Sequence, residues 1–142
     1  MTATVIDDIE WSALPVASLP RSWRILLDSR LRRIGIPAGV TDDVVLATCE
    51  LVTNAVEHSP SDAPITLRVR FGVGRLWVGV WDASDEPPVR QPEPTLDGDL
   101  DDILTTLAEN GRGLQIITAL ASDRNVDWTP PQGKWTWARF HF

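Results

Sequence analysis

From position 18 to 34, Leu19, Trp23, Leu26 or Leu27, Leu31 and Ile34 recur at three- and four-residue spacing, the period of a helix that buries one face. Pro20 falls in the first turn, where its missing N–H costs nothing, and Gly35 followed by Pro37 stops the segment. A second helix is predicted from Thr41, as N-cap, to about His58, with Asp42 and Asp43 suited to its positive end. Ser59, Pro60 and Pro64 then break the chain. Beyond them Ile65, Leu67, Val69 and Phe71 alternate with Thr66, Arg68 and Arg70, the two-residue period of a half-buried strand. Gly72-Val73-Gly74 predicts a turn, and 76–81 the partner strand of an antiparallel hairpin. Further on, 114–121 reads as helical, 125–128 as extended, 130–133 as a turn and 135–142 as a last alternating strand. The order helix, helix, hairpin, loop, helix, hairpin predicts an α+β fold, a two-layer sandwich with helices on one face of a mixed, mostly antiparallel sheet. A single domain is expected over 14–142, preceded by a flexible tail at 1–13.

Composition sharpens this picture in three places. The 142 residues carry 13 basic and 20 acidic side chains, a net charge of −7. All of that excess sits in 83–110, where Asp85, Glu86, Glu93, Asp97, Asp99, Asp101, Asp102 and Glu109 face Arg90 alone. The same stretch holds Pro87, Pro88, Pro92 and Pro94, so it reads as an acidic lid or loop, with a plain solvated insertion as the alternative. An acidic chain without a basic run makes a poor phosphate-backbone binder, so nucleic acid is not the expected partner. No run approaches 18 apolar residues and the first ten residues hold no apolar leader, so no membrane span and a cytoplasmic location are expected. Cys49, as the single cysteine, can form neither an internal disulfide nor a cysteine-built zinc site. Seven tryptophans stand against three phenylalanines and no tyrosine; Trp77, Trp81, Trp128 and Trp137 fall in strands, where large aromatics are ordinary sheet material.

The second helix is where chemistry becomes arguable. Asp43, Glu50, Asn54 and Glu57 share one stripe, interrupted only by Ala47, on a helix otherwise rich in Val, Leu and Ala. Such a stripe is either a solvated face or a site, because a carboxylate and an amide one turn apart on a largely buried helix are costly unless something satisfies them. A divalent ion carrying a polyanion would do so: Asn offers Mg²⁺ a neutral oxygen, and Glu can accept a proton from an attacking hydroxyl. Asp82, at the end of a strand and before a non-periodic loop, is placed either to recognise a ligand or as an ordinary strand-end cap, and the Gly-Arg-Gly run that follows the loop has an ordinary turn as its alternative. Gly111-Arg112-Gly113, just before a helix, could turn backbone N–H groups and a guanidinium toward phosphate.

With those residues in order, the chain resembles a known family. The run 50–58, Glu-Leu-Val-Thr-Asn-Ala-Val-Glu-His, is similar to the N box of the histidine-kinase-like ATPase fold, specifically of the small stand-alone anti-sigma-factor serine/threonine kinases of bacterial switch systems. Val80-Trp81-Asp82-Ala83-Ser84 resembles its first glycine box, Glu109-Asn110-Gly111-Arg112-Gly113-Leu114 its second, and Gly133-Lys134-Trp135-Thr136-Trp137 its closing strand motif. The resemblance implies an ATP-dependent protein kinase that phosphorylates an anti-sigma-factor antagonist and binds a sigma factor when not so engaged, with room for a homodimer. It implies ATP and Mg²⁺ as cofactors, Glu50 as general base and Asn54 as Mg²⁺ ligand. Asp82 would accept the adenine amino hydrogen, with Ser84 at the first glycine position, and Gly111, Arg112, Gly113 and Leu114 would lie along the phosphates. A non-catalytic module that keeps the fold and acts by protein contact is the alternative.

Two positions depart from the family pattern. Ser84 stands where a glycine is usual, and suits it only if its backbone φ stays negative and the base ring leaves room for its Cβ. Trp135 stands where a Thr commonly follows Gly-Lys, which is expected to displace Thr136 to the opposite strand face and leave the adenine side without its hydroxyl.

Overall fold

The computed structural model describes residues 8–85 and 120–142. Its elements in chain order are β1 (Ile9–Ala13), α1 (Leu19–Ile34), α2 (Ala38–His58), β2 (Ile65–Gly72), β3 (Arg75–Asp82), β4 (Asp123–Trp128) and β5 (Lys134–His141). The strands form one sheet in the order β1-β2-β3-β5-β4, and every described pairing is antiparallel. Most of the acidic segment and of the predicted helix at 114–121 lies outside the described residues.

The apolar stripe of α1 resolves as Leu19, Trp23, Leu27 and Leu31, all buried, while Leu26 points outward. Gly35 ends the helix in the left-handed conformation at φ 97°, its N–H bonding back to the carbonyls of Arg32 and Leu31. That backbone geometry is the one a glycine adopts without a Cβ penalty. α2 begins three residues before the expected N-cap. Thr41 is buried inside the first turn, where its backbone N–H bonds to Pro37 O and its hydroxyl donates to Ile36 O at 3.3 Å, so its side chain caps nothing. Pro37 makes the earlier start cheap, because the first turn has no use for its absent N–H.

Residues 9–13, expected in the tail, instead form edge strand β1 against β2, with Ile9 opposite Val69 and Ala13 opposite Ile65. Ile9, Trp11 and Ala13 alternate inward, but three apolar positions give a weak period, and the strand forms because β2 offers an edge to pair with. Glu10 on the outer side pairs with Arg68, and Trp11 on the inner side meets Trp23 of α1 with ring centroids 6.4 Å apart.

Both helices cover one face of the sheet. Leu27 and Leu31 of α1, Val44, Leu51 and Val52 of α2, and Ile65, Leu67, Val69, Leu76, Val78 and Val80 of the strands form one buried cluster. Each fully buried Leu contributes about 1.5–3 kcal/mol relative to exposure. The opposite face carries Trp77, Trp81, Trp135 and Trp137, half-buried, with Trp135 and Trp137 stacked at 5.1 Å and the Arg68 guanidinium 4.9 Å over Trp135. Among the described residues no helix is long and apolar enough to cross a membrane.

Candidate functional site

α2, which carries the polar stripe, packs against β3 and β5, the strands that carry Asp82 and Lys134, and against β2. Glu50 is half-buried on α2, and burial first, then the Glu57 carboxylate two turns on, push its pKa up from the ordinary glutamate range. Asn54 sits between the two, partly buried. Among the described residues no side-chain hydrogen bond engages Asn54, which leaves its carbonyl oxygen available to a ligand. Asp43, two stripe positions before Glu50, has its pKa likewise raised by burial and by its neighbour Asp42. The burial of Thr48, Leu51, Val52 and Ala55 on the adjoining surface is what holds the stripe at the edge of the core rather than in open solvent.

Asp82 ends β3 on the helix-facing side and is 3% exposed. Its Oδ1 accepts the Ser84 backbone N–H at 2.8 Å, a local turn closed by the side chain, and a Lys134 Nζ hydrogen at 3.0 Å. Lys134 stands directly opposite Asp82 in the β3–β5 ladder, which puts both side chains on one face. No described non-glycine residue has a positive φ, so Ser84 meets the backbone half of the condition set for it. Gly133, just before Lys134, takes φ 85°, and a Cβ there would lie 2.6 Å from Asp82 O; Asp85 Oδ1 accepts its N–H at 3.0 Å. The exit of β3 is thereby tied to the entry of β5.

The expected loss of the hydroxyl does not occur. β5 alternates with Lys134, Thr136, Ala138 and Phe140 buried toward the helices, and Trp135 and Trp137 on the opposite face. Thr136 is the cross-strand partner of Val80, so it shares the face of Asp82, and it is Trp135 that points away. The motif comparison alone shifts the strand by one residue; the burial of Ala138 and Phe140 fixes the register.

Gly111, Arg112, Gly113 and Leu114 lie outside the described residues. Among those that are described, the structure places Glu50 and Asn54 together on α2 and Asp82 and Ser84 together at the end of β3. It adds Lys134, which sequence reading quotes in a motif without giving it a role. Its signal was the pairing register, in which the residue after Gly133 must oppose the last residue of β3. No cluster of three or more His, Cys, Asp and Glu exists among the described residues, so a fully protein-built metal centre is not offered there. One free amide oxygen beside a carboxylate suits Mg²⁺, which keeps waters and takes most remaining ligands from substrate phosphates. A concavity of about 810 Å³ lies on the other face of the sheet, among Arg70, Trp77, Trp137 and Arg139. It is open, and two of its three arginines are paired, Arg70 with Asp8 and Arg139 with Asp123.

The described residues offer a raised carboxylate and an unengaged amide on α2 and a buried carboxylate at the end of β3. In sequence, the family model of the histidine kinase-like ATPase domain matches residues 12–140. No curated protein sequence matches the chain. Among solved structures, it is similar to the RsbU and RsbW domains of Rv1364c from Mycobacterium tuberculosis, with 19% identity and a TM-score of 0.68 over 96% of this chain. That match takes in 32% of the larger chain, so this chain spans about a third of its length. It is also similar to a chain of the SiaB-SiaC complex from Pseudomonas aeruginosa, with 13% identity, a TM-score of 0.59, and coverage of 94% of this chain and 89% of that one. At these identities the structural matches speak for the fold, and the family match across nearly the whole sequence speaks for membership: the chain belongs to the histidine kinase-like ATPase domain family.

Proposed function

We propose that this domain binds Mg·ATP and transfers the γ-phosphoryl group to a serine or threonine of an anti-sigma-factor antagonist, acting in the cytoplasm as an anti-sigma factor toward its sigma partner. The observation that carries the reading is the pairing on α2 of Glu50, whose proton affinity is raised, with Asn54, whose amide is unengaged. Glu50 accepts the proton of the incoming hydroxyl as its oxygen bonds to phosphorus and the bond to the ADP oxygen breaks. A raised pKa makes that carboxylate a stronger base. Asn54 holds Mg²⁺ through its side-chain oxygen, and the ion, when bound, offsets charge on the phosphates. Asp82 accepts the exocyclic amino hydrogens of adenine, Ser84 fixes the Asp82 carboxylate through its backbone N–H, and Thr136 supplies the hydroxyl on that side. Gly111, Arg112, Gly113 and Leu114 are assigned to the phosphates by sequence.

The fold is shared with a chain of the SiaB-SiaC complex and with part of the RsbU and RsbW domains of Rv1364c, while the antagonist as substrate rests on the resemblance of the 50–58 run and the glycine boxes. A non-catalytic, protein-binding module is the second reading, and the engagement of Asp82 by Lys134 favours it. Single-turnover transfer from labelled ATP to the purified antagonist encoded beside it separates the two. Labelled antagonist supports the kinase, whereas tight sigma binding with no transfer supports the module.

A further inference from the structure

The sheet face turned away from the helices carries Arg70, Trp77, Arg139 and Asp123 side by side on β2, β3, β5 and β4, with Trp137 two residues before Arg139 on the same side of β5. They border the open concavity of about 810 Å³. Its hydrogen-bonding groups are out of balance. Among the described residues Arg70 gives one side-chain bond, from Nε to Asp8 Oδ2 at 3.4 Å. Arg139 stands 3.6 Å from Asp123, beyond hydrogen-bond reach, and its Nε is buried with no acceptor. The Arg124 side chain, also at the concavity, has no acceptor among the described residues. The aspartates are better occupied: Asp123 Oδ1 accepts the Arg124 backbone N–H at 2.9 Å, and Asp127 Oδ1 accepts a hydrogen of Asn125 Nδ2 at 2.8 Å. Since each guanidinium carries five N–H donors, the concavity holds a surplus of charged donors beside two half-buried indole rings.

We infer that this concavity binds a planar aromatic carboxylate, with the carboxylate on Arg139 and the ring against Trp77 and Trp137. Arg139 is central to it, because Trp77 is its cross-strand partner and Trp137 its neighbour on the same face of β5. The guanidinium fork matches the geometry of a carboxylate, and exposed ion pairs as long as those to Asp8 and Asp123 contribute little that a ligand must replace. Asp8, Asp123 and Asp127 border the same space as the three arginines, so a single negative charge is accommodated better than a phosphate dianion. The indole rings give a flat apolar body something to pack on, and the volume lies in the range of small-molecule sites. The concavity is on the side of the sheet opposite α2, so the inference does not depend on reading Glu50 and Asn54 as a nucleotide site.

The test is titration of the whole protein with naphthoate and with its neutral analogue naphthylmethanol, followed by the indole N–H signals in proton–nitrogen correlation spectra, with Trp77→Phe and Trp137→Phe identifying the two that matter. Naphthoate shifts both signals and binds about tenfold or more tighter than the alcohol, the worth of one charge-assisted contact. Arg139→Gln lowers naphthoate affinity by about tenfold and leaves that of the alcohol near wild type, a split that lost packing alone would not produce. Saturating Mg·ATP changes neither affinity. Naphthoate that moves neither indole signal, binds no tighter than the alcohol or is displaced by Mg·ATP overturns the inference, as does a dimer in solution whose partner copy covers this face and keeps naphthoate out. If Arg139→Gln does not fold, the ratio of acid to alcohol on the wild type decides alone.

Discussion

Gly79 of β3 and Trp137 of β5 face each other across the strand pair, and the Trp137 ring lies over the glycine so closely that a Cβ at position 79 would be 2.7 Å from its Cδ2. The glycine is required by this approach, and Trp137 in turn stacks on Trp135, so the outer face of the central strands is built around one absent side chain. Gly79→Ala is expected to cost about 1–3 kcal/mol, as overpacking does, read as a lower urea midpoint at unchanged m-value. Gly79→Ala combined with Trp137→Ala should lose less than the two single changes together, because the clash is then gone. Additive losses in that cycle would mean that the ring does not rest on the glycine.

The buried pair at the other end of β3 predicts a different pattern. Lys134→Met leaves the Asp82 carboxylate, among the described residues, with the Ser84 N–H as its remaining donor, and removing one partner of a buried ion pair costs about 3–5 kcal/mol. Asp82→Asn with Lys134→Met removes both charges and keeps an acceptor for Ser84, so it should recover much of that loss. Equilibrium denaturation of the two single variants and the double variant gives the coupling directly. A double variant no more stable than Lys134→Met alone would contradict an interaction between these two side chains.

Much of the architecture is written in periodicity. The α1 stripe, the β2–β3 hairpin and the alternation of β5 are legible because each buries one face over many residues, and repetition makes the period stand out. β1 is not legible, since five residues with three inward positions say little until β2 supplies an edge. The start of α2 is misplaced because Thr41 followed by two aspartates looks like a cap; tertiary packing instead buries the threonine and carries the helix back to Ala38. In the site, Glu50, Asn54 and Asp82 could be named from spacing and motif order. The side of the strand on which Thr136 falls, and the partner of Asp82, could not, because both depend on cross-strand register and a one-residue slip reverses every side chain.

Asn54 should act on the metal rather than on the base. Asn54→Ala removes the neutral oxygen beside Glu50, so the affinity for Mg·ATP is expected to fall by about tenfold or more, as losing a good ligand contact does, while nucleotide binding in EDTA stays near wild type. Calorimetry with and without Mg²⁺ measures both. Equal losses in the two conditions would assign Asn54 to the nucleotide or to the fold instead of the ion.

Glu50 is expected to matter for transfer more than for binding. Glu50→Gln keeps the shape of the side chain and removes its basicity, so single-turnover phosphate transfer should fall by about 10²-fold or more, with ATP affinity unchanged or improved by the loss of a negative charge near the phosphates. Because burial and then Glu57 hold the Glu50 carboxyl on its proton above the ordinary range, the acid limb of the transfer rate should lie at higher pH than the usual glutamate value of about 4.3. Glu57→Gln removes the second of those causes and should move the limb to lower pH, a shift that a purely structural Glu57 would not produce. Stability follows the same sign: a carboxyl whose folded pKa is raised favours the native state below its unfolded pKa, and that contribution is lost as pH rises through the folded value. Glu50→Gln is therefore expected to be more stable than the wild type at neutral pH, with the advantage fading as both pKa values are passed on acidification. Thermal unfolding across that range tests it, and a variant that is less stable than wild type at neutral pH would show that the Glu50 charge is satisfied in the native fold rather than held there at a cost.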